Sequence, residues 1–175
     1  GTLAGCFVHE LHHVDPSIPR FEGWWGTSKQ ARFEMRPVFE PIPSAEAWML
    51  SNSPIFQLAA LRASLEMFDR ATMPAIRKKG DLLTGYLEFL IHGIAGTPYR
   101  ILTPAAPGER GCQLSIQARD ARGLQRKLAA AGAICDFREP DVVRAAPAPL
   151  YNSFEDIFHF VQILREFAPE HGVST

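Results

Sequence analysis

Helices layered on a small sheet, an α+β arrangement, are what this sequence predicts. Apolar residues recur at spacings of three and four in some segments and alternate with polar ones in others. These segments follow in the order helix, strand, strand, helix, strand, strand, helix. An apolar content of 46% with a charged content of 21% belongs to a globular chain, and 175 residues suffice to bury one core.

Taken in order, residues 4–8 (Ala-Gly-Cys-Phe-Val) read as a short buried strand. Residues 14–52, rich in Pro, Gly and aromatics, read as one long irregular segment. Loops of that length are usually functional, or are held by something outside the sequence such as a partner subunit. Ser53-Pro54 opens a helix with proline in its first turn, and Leu58, Leu61, Leu65 and Phe68 share its stripe. A second helix over residues 74–94 carries Ile76, Leu83, Leu87, Leu90 and Ile94. Residues 99–103 form a strand, and Leu114, Ile116 and Ala118 alternate with Gln113, Ser115 and Gln117 as a half-buried strand requires. Asp120 caps a short helix with Leu124, Leu128 and Ala131 inward, and Gly132 stops it. Strands follow at 133–137 and 142–145. Ser153-x-x-Asp156 is a capping box, opening a last amphipathic helix with Ile157, Phe160, Val161, Leu164 and Phe167 on its buried face.

A formal net charge of -1 and a pI near 6.7 give no electrostatic reason to expect nucleic acid or an anionic membrane as partner. Cys6, Cys112 and Cys135 lie far apart in strand-like contexts, which points to buried thiols in a reducing, cytoplasmic compartment. No apolar run approaches the roughly 20 residues of a membrane span, and no signal peptide is visible at the start.

Several constellations invite chemistry. Arg144 is the one charge inside a short apolar strand that Pro147 and Pro149 stop. Its planar donors suit a carboxylate, although a strand-end arginine also commonly snorkels to water. His9-Glu10-Leu11-His12-His13 fits the H-E-x-x-H zinc pattern, which needs a helix to bring both histidines to one metal. Pro16 and Pro19 end any such helix within about one turn, so no metal is expected. Gly23-Trp24-Trp25-Gly26 is by itself a packed loop anchor, and Ser51-Asn52 a polar entry to the helix that follows. That helix start also presents free N–H groups and a positive dipole end, which suits a phosphate. Arg77-Lys78-Lys79 reads as a solvated basic face, and Tyr151 and Asn152 as residues fixing the turn after Arg144.

The stretch Val143-Arg144-Ala-Ala-Pro-Ala-Pro-Leu-Tyr-Asn-Ser-Phe154, preceded by Cys135-Asp-Phe-Arg-Glu-Pro140, resembles the C-terminal signature of kynureninases. So do the blocks Gly23-Trp-Trp-Gly26, Leu50-Ser-Asn-Ser-Pro54, Leu61-Arg-Ala-Ser-Leu-Glu-Met-Phe68, Arg77-Lys-Lys79, Leu83-Thr-Gly-Tyr-Leu-Glu88 and Arg110-Gly-Cys-Gln-Leu-Ser115, in the same order along nearly the whole chain. The resemblance implies an α/β fold: the C-terminal portion of a fold-type-I pyridoxal-phosphate enzyme. Residues 1–70 would end the large cofactor-binding domain and residues 71–175 would form the small α+β domain.

It also implies hydrolysis of L-kynurenine, or 3-hydroxykynurenine, to anthranilate, or its 3-hydroxy form, and L-alanine. The setting is tryptophan catabolism and NAD biosynthesis, in a homodimer with a shared site. By the same resemblance Trp24 and Asn52 are ligands of the pyridoxal 5'-phosphate group, with Asn52 contributed across the dimer and near the substrate's aromatic ring. Trp25 lies by that ring and Arg144 holds the substrate carboxylate. Thr27 stands where the family usually has histidine. The family's Schiff-base lysine precedes a Gly-Pro-Gly-like turn, and Gly1 to Gly5 resemble the residues after it, so the expectation is a missing N-terminal half and a chain inactive alone. A non-catalytic remnant of the same fold, and a related pyridoxal-phosphate lyase or desulfurase, are the alternatives.

Overall fold

The computed structural model describes residues 3–168. The chain divides into two compact units, one running through Met67 and the other beginning at Phe68.

The first unit is built from turns followed by the larger part of one helix, which runs on past Met67. Residues 3–9 have no regular structure, and Glu10–His12 and Ala45–Trp48 are single 3-10 turns. The strand expected over residues 4–8 is absent, and Cys6 and Phe7 are exposed rather than buried. An apolar run becomes a strand only when a partner satisfies its backbone groups, and among the described residues none pairs with it. Two Arg–Trp contacts order the irregular segment. The Arg20 guanidinium sits 4.6 Å from the Trp48 ring centre and donates to the His13 and Asp15 carbonyls at 2.6 and 2.8 Å. Arg32 covers Trp25 at 4.3 Å and donates to its carbonyl at 2.7 Å. Helix α1, Ile55–Ala71, follows Pro54, but it buries none of its residues. The stripe Leu58, Leu61, Leu65 and Phe68 is therefore exposed; spacing defines an apolar face without specifying what covers it.

The second unit carries the core. Thr72, at φ 63°, turns the chain from α1 into α2, Met73–His92, which has proline in its first turn. Strands β1 (Arg100–Ile101), β2 (Leu114–Gln117), β3 (Asp136–Arg138) and β4 (Val142–Ala145) form one antiparallel sheet in the order β1-β2-β4-β3. Helices α3 (Ala121–Ala130) and α4 (Phe154–Phe167) complete it. Alternation assigns the sheet's faces. Leu114, Ile116, Val143 and Ala145 point into a core shared with Leu83, Leu87 and Ile91 of α2, Leu124 and Leu128 of α3, and Ile157, Val161 and Leu164 of α4.

The caps are those the sequence announces: the Asp120 carboxylate accepts from Gly123 N at 2.9 Å, and Ser153 with Asp156 closes a capping box. β1 covers two residues of the five expected, and β3 starts at Asp136 rather than residue 133. The cause lies in the end of α3, where Gly132 at φ 87° lets Ala133 N donate to Leu128 O at 2.8 Å. That helix terminus uses the residues a strand would have claimed.

Candidate functional site

In the first unit, Gly23 and Gly26 hold two backbone stretches together. A Cβ on Gly23 would lie 2.2 Å from the Leu50 Cα, and one on Gly26 would lie 2.7 Å from the Ala47 carbonyl oxygen. Only glycine permits such an approach, and it brings the segment carrying Trp24 against the segment that runs on to Asn52. Trp24 is half exposed, with its ring edge-on to Trp25 and Phe33 at 5.8 and 5.5 Å. Asn52 is exposed, and its Oδ1 accepts from the Ser51 hydroxyl at 3.1 Å, which leaves the Nδ2 donors outward. An indole N–H, an amide NH₂ and the start of α1 are all donors. These are donors of the kind a phosphate group takes, carried on exposed residues of the two stretches that Gly23 and Gly26 hold together.

Trp25 is half-buried with one ring face under Arg32, so only its remaining surface can meet a ligand. Thr27 is committed to the loop: its hydroxyl bonds the Glu40 carbonyl at 3.2 Å and accepts from the Glu40 amide at 3.3 Å. The histidine-rich stretch forms one 3-10 turn, in which His9 Nδ1 accepts from Leu11 N and His13 Nε2 lies 3.0 Å from the Val8 carbonyl. Both imidazoles thus serve the turn itself.

In the second unit the chemistry lies on the sheet face turned away from the core. Cross-strand register aligns Ser115, Arg144 and Asp136 in one row over β2, β4 and β3. The Arg144 guanidinium grips the Asp136 carboxylate in a two-point fork, Nε to Oδ1 at 2.8 Å and Nη2 to Oδ2. Arg138 holds the same Oδ2 at 3.0 Å. Hydrogen bonding from Arg144 holds the Asp136 carboxyl below the ordinary carboxylate range, and the same bond raises Arg144. A shallow cleft of about 390 Å³ opens beside them, bounded by Thr103, Ser115, Arg138 and Arg144. Two guanidinium groups share one carboxylate here, so the cluster is one anion short of neutrality. One edge of the Arg144 guanidinium is therefore already closed on a carboxylate, so Arg144 is not simply a strand-end charge reaching for water.

Asn152 fixes the turn after Arg144 as expected, its Oδ1 accepting from Ala148 N at 2.8 Å, whereas the Tyr151 side chain is exposed. A second cleft of about 360 Å³ near Pro147 is walled by Ile134, Phe160 and Ile163. Of its polar lining, which also includes His159, Asn152 and Asp156 are already engaged in that turn and in the capping box. Three interactions have no signal in the sequence. Arg77 donates to the Arg110 carbonyl at 2.7 Å and Lys79 to the Pro149 carbonyl at 2.6 Å, so the basic face is partly a set of loop anchors. Arg110 is buried against Glu88 at 2.6 Å, an ion pair that ties the loop before β2 to α2.

A family model for the kynureninase C-terminal domain matches residues 76–164. Kynureninase of Myxococcus xanthus is 57% identical over 171 residues, covering 97% of this chain and 40% of that protein. The kynureninases of Xanthomonas euvesicatoria and Christiangramia forsetii are 49% and 48% identical over 96% and 95% of this chain. The chain spans about 40% of the length of these curated relatives. Among solved structures, a complex of a cystine C–S lyase with cysteine persulfide aligns with a TM-score of 0.71 at 19% identity, over 86% of this chain and 39% of that one. The apo cysteine desulfurase of Thermococcus onnurineus gives 0.68 at 13%, with the same coverage. A variant of the lyase, solved with glycine linked to its pyridoxal-phosphate cofactor, also gives 0.68. At such identities these structures bear on the fold alone, and they give the fold-type-I class expected of the chain.

Proposed function

Because the chain belongs to the kynureninase family through its C-terminal domain, we propose that it is the carboxylate-binding part of an enzyme that hydrolyses L-kynurenine, or its 3-hydroxy form. The products are anthranilate, or 3-hydroxyanthranilate, and L-alanine, a step of tryptophan breakdown toward NAD. The observation that carries this reading is the charge cluster on the open sheet face, where Arg138 and Arg144 share the single carboxylate of Asp136 beside an open cleft. An amino-acid carboxylate supplies the missing anion.

Trp24 and Asn52 hold the phosphate of pyridoxal 5'-phosphate through their N–H donors, and the exposed surface of Trp25 meets the aromatic ring of the substrate. When bound, that cofactor supplies an electron sink for the substrate's α-carbon. Arg144 orients the α-carboxylate with a charge that does not titrate. Residues 1–70 belong on this reading to the cofactor-binding domain and residues 71–175 to the small domain. The enzyme works as a cytoplasmic homodimer in which Asn52 crosses to the neighbouring site. The three free cysteines suit a reducing compartment, and no helix among the described residues is long and apolar enough to cross a membrane.

The test is a chimera in which this chain replaces the matching 40% of the Myxococcus xanthus enzyme. With pyridoxal phosphate it should release fluorescent anthranilate from kynurenine and no sulfide from cysteine, while this chain alone should release neither. Sulfide without anthranilate would move the assignment to a lyase or desulfurase, and turnover by the isolated chain would overturn the division of labour.

A further inference from the structure

We propose that Asp136 is a positioning residue for the substrate carboxylate: it clamps one edge of the Arg144 guanidinium so that the other edge is presented to the cleft. The proposal rests on the reading of Arg144 as the carboxylate fork. A guanidinium has five N–H donors on two usable edges. Asp136 occupies the Nε–Nη2 edge. Among the described residues no protein acceptor meets Nη1, so the Nη1–Nη2 edge keeps its donors for a second carboxylate.

The clamp is built into the sheet. Asp136 and Arg144 are direct cross-strand partners in the β3–β4 hairpin, and Ser115 is the partner of Arg144 on its other side. Opposite charges facing one another across an antiparallel pair reinforce the register that holds them. Arg138, two residues along β3, pulls the same carboxylate from its own side at 3.0 Å. Asp136 is thus fixed at both oxygens by two cations, and a fixed anion in turn fixes the plane of the Arg144 fork. An arginine pinned in this way loses less freedom on binding a carboxylate than one with a mobile head.

Two effects of removing Asp136 oppose each other, and their signs separate this role from a purely electrostatic one. An anion beside the fork repels the substrate carboxylate, so as a mere charge its loss would tighten binding. As a clamp, its loss frees the guanidinium and weakens binding. For Asp136→Asn in the chimera, KM for kynurenine should rise about three- to tenfold with kcat changed by less than about twofold. The affinity for L-alanine, read from the cofactor absorbance, should fall in parallel, and Asp136→Glu should recover part of both.

In this chain alone, the ¹⁵N–¹H signal of Arg144 Nε should stand apart from those of exposed arginines at pH 7 and join them in Asp136→Asn. An unchanged or lowered KM in Asp136→Asn, with Arg144→Ala still strongly impaired, would overturn the clamp and leave the fork intact. Near-normal kcat/KM in Arg144→Ala would overturn the fork and the clamp together.

Discussion

Replacing Gly23 with alanine should loosen the first unit, and the size of the effect follows from one distance. The added Cβ would stand 2.2 Å from the Leu50 Cα, with the Leu50 carbonyl oxygen and carbon at 2.4 and 2.6 Å. Carbon atoms pack at about 3.5 Å or more, so the two backbone stretches must part by roughly 1.3 Å. Neither partner is a flexible side chain that could swing aside. Overpacking of this kind costs about 1–3 kcal/mol, and backbone on both sides puts Gly23→Ala toward the upper end. The chain's three tryptophans, Trp24, Trp25 and Trp48, all lie in this unit, so their fluorescence reports on it selectively. The urea midpoint of that fluorescence should fall clearly in Gly23→Ala. In Gly85→Ala, where a Cβ on α2 meets nothing within 4 Å, it should not fall. If Trp24 and Asn52 hold the cofactor phosphate as proposed, a chimera carrying Gly23→Ala should also retain pyridoxal phosphate less well, since the stretches that carry them are driven apart. An unshifted midpoint together with unchanged cofactor retention would refute the close backbone approach at Gly23.

In the chimera, Trp24→Phe and Asn52→Ala should each weaken pyridoxal-phosphate affinity several-fold to tenfold or more, one neutral donor being worth about 0.5–1.5 kcal/mol and more toward a charged acceptor. Fluorescence titration of the apoenzyme reads this, and unchanged affinity in both would remove them from the phosphate site. Burial, with the neighbouring Asp136 charge adding to it, pushes the Cys135 thiol up to about 11. At pH 8 only about one Cys135 in a thousand is then thiolate, so iodoacetamide should label exposed Cys6 first by mass spectrometry. Asp136 and Asp156 are held below the ordinary carboxylate range by hydrogen bonds from Arg144 and from the Ser153 backbone respectively. Their depressed folded-state values mean stability that is complete above the ordinary range and lost as pH falls through them. Carbon-detected titration of Asp136 should shift upward in Arg144→Ala, and no shift would break that pair.

The elements legible in the sequence are those whose signals are local. Both α3 and α4 begin at the caps that Asp120 and Ser153-x-x-Asp156 announce, and β4 covers the four residues its pattern marks. The elements that differ depend on partners distant in sequence. Residues 4–8 have strand composition but no strand to pair with among the described residues, and the α1 stripe has the right spacing yet buries no residue fully. Arg77 and Lys79 look solvated because their acceptors are backbone carbonyls thirty to seventy residues away.

The Asp136–Arg144 pair does have a sequence signal. Both residues lie four positions from Pro140, and an antiparallel hairpin centred on that proline pairs them, as it pairs Phe137 with Val143 and Arg138 with Val142. A first strand placed at 133–137 hides that symmetry. The Gly-Trp-Trp-Gly block stands out at once, but the reason for its glycines is a close backbone approach to residues 47–50, which no local pattern records.

The proposed role of Arg144 as the fork for an amino-acid carboxylate stands or falls with Arg144→Ala in the chimera. If the rest of the enzyme covers this cleft in the substrate complex, truncating the charged, hydrogen-bonded partner should lower kcat/KM for kynurenine by roughly thirtyfold to several-thousandfold. Affinity for pyridoxal phosphate should stay within about twofold of the parent, because on this reading the phosphate donors lie in the first unit. Near-normal kcat/KM, or release of bound cofactor with substrate binding intact, would contradict the assignment.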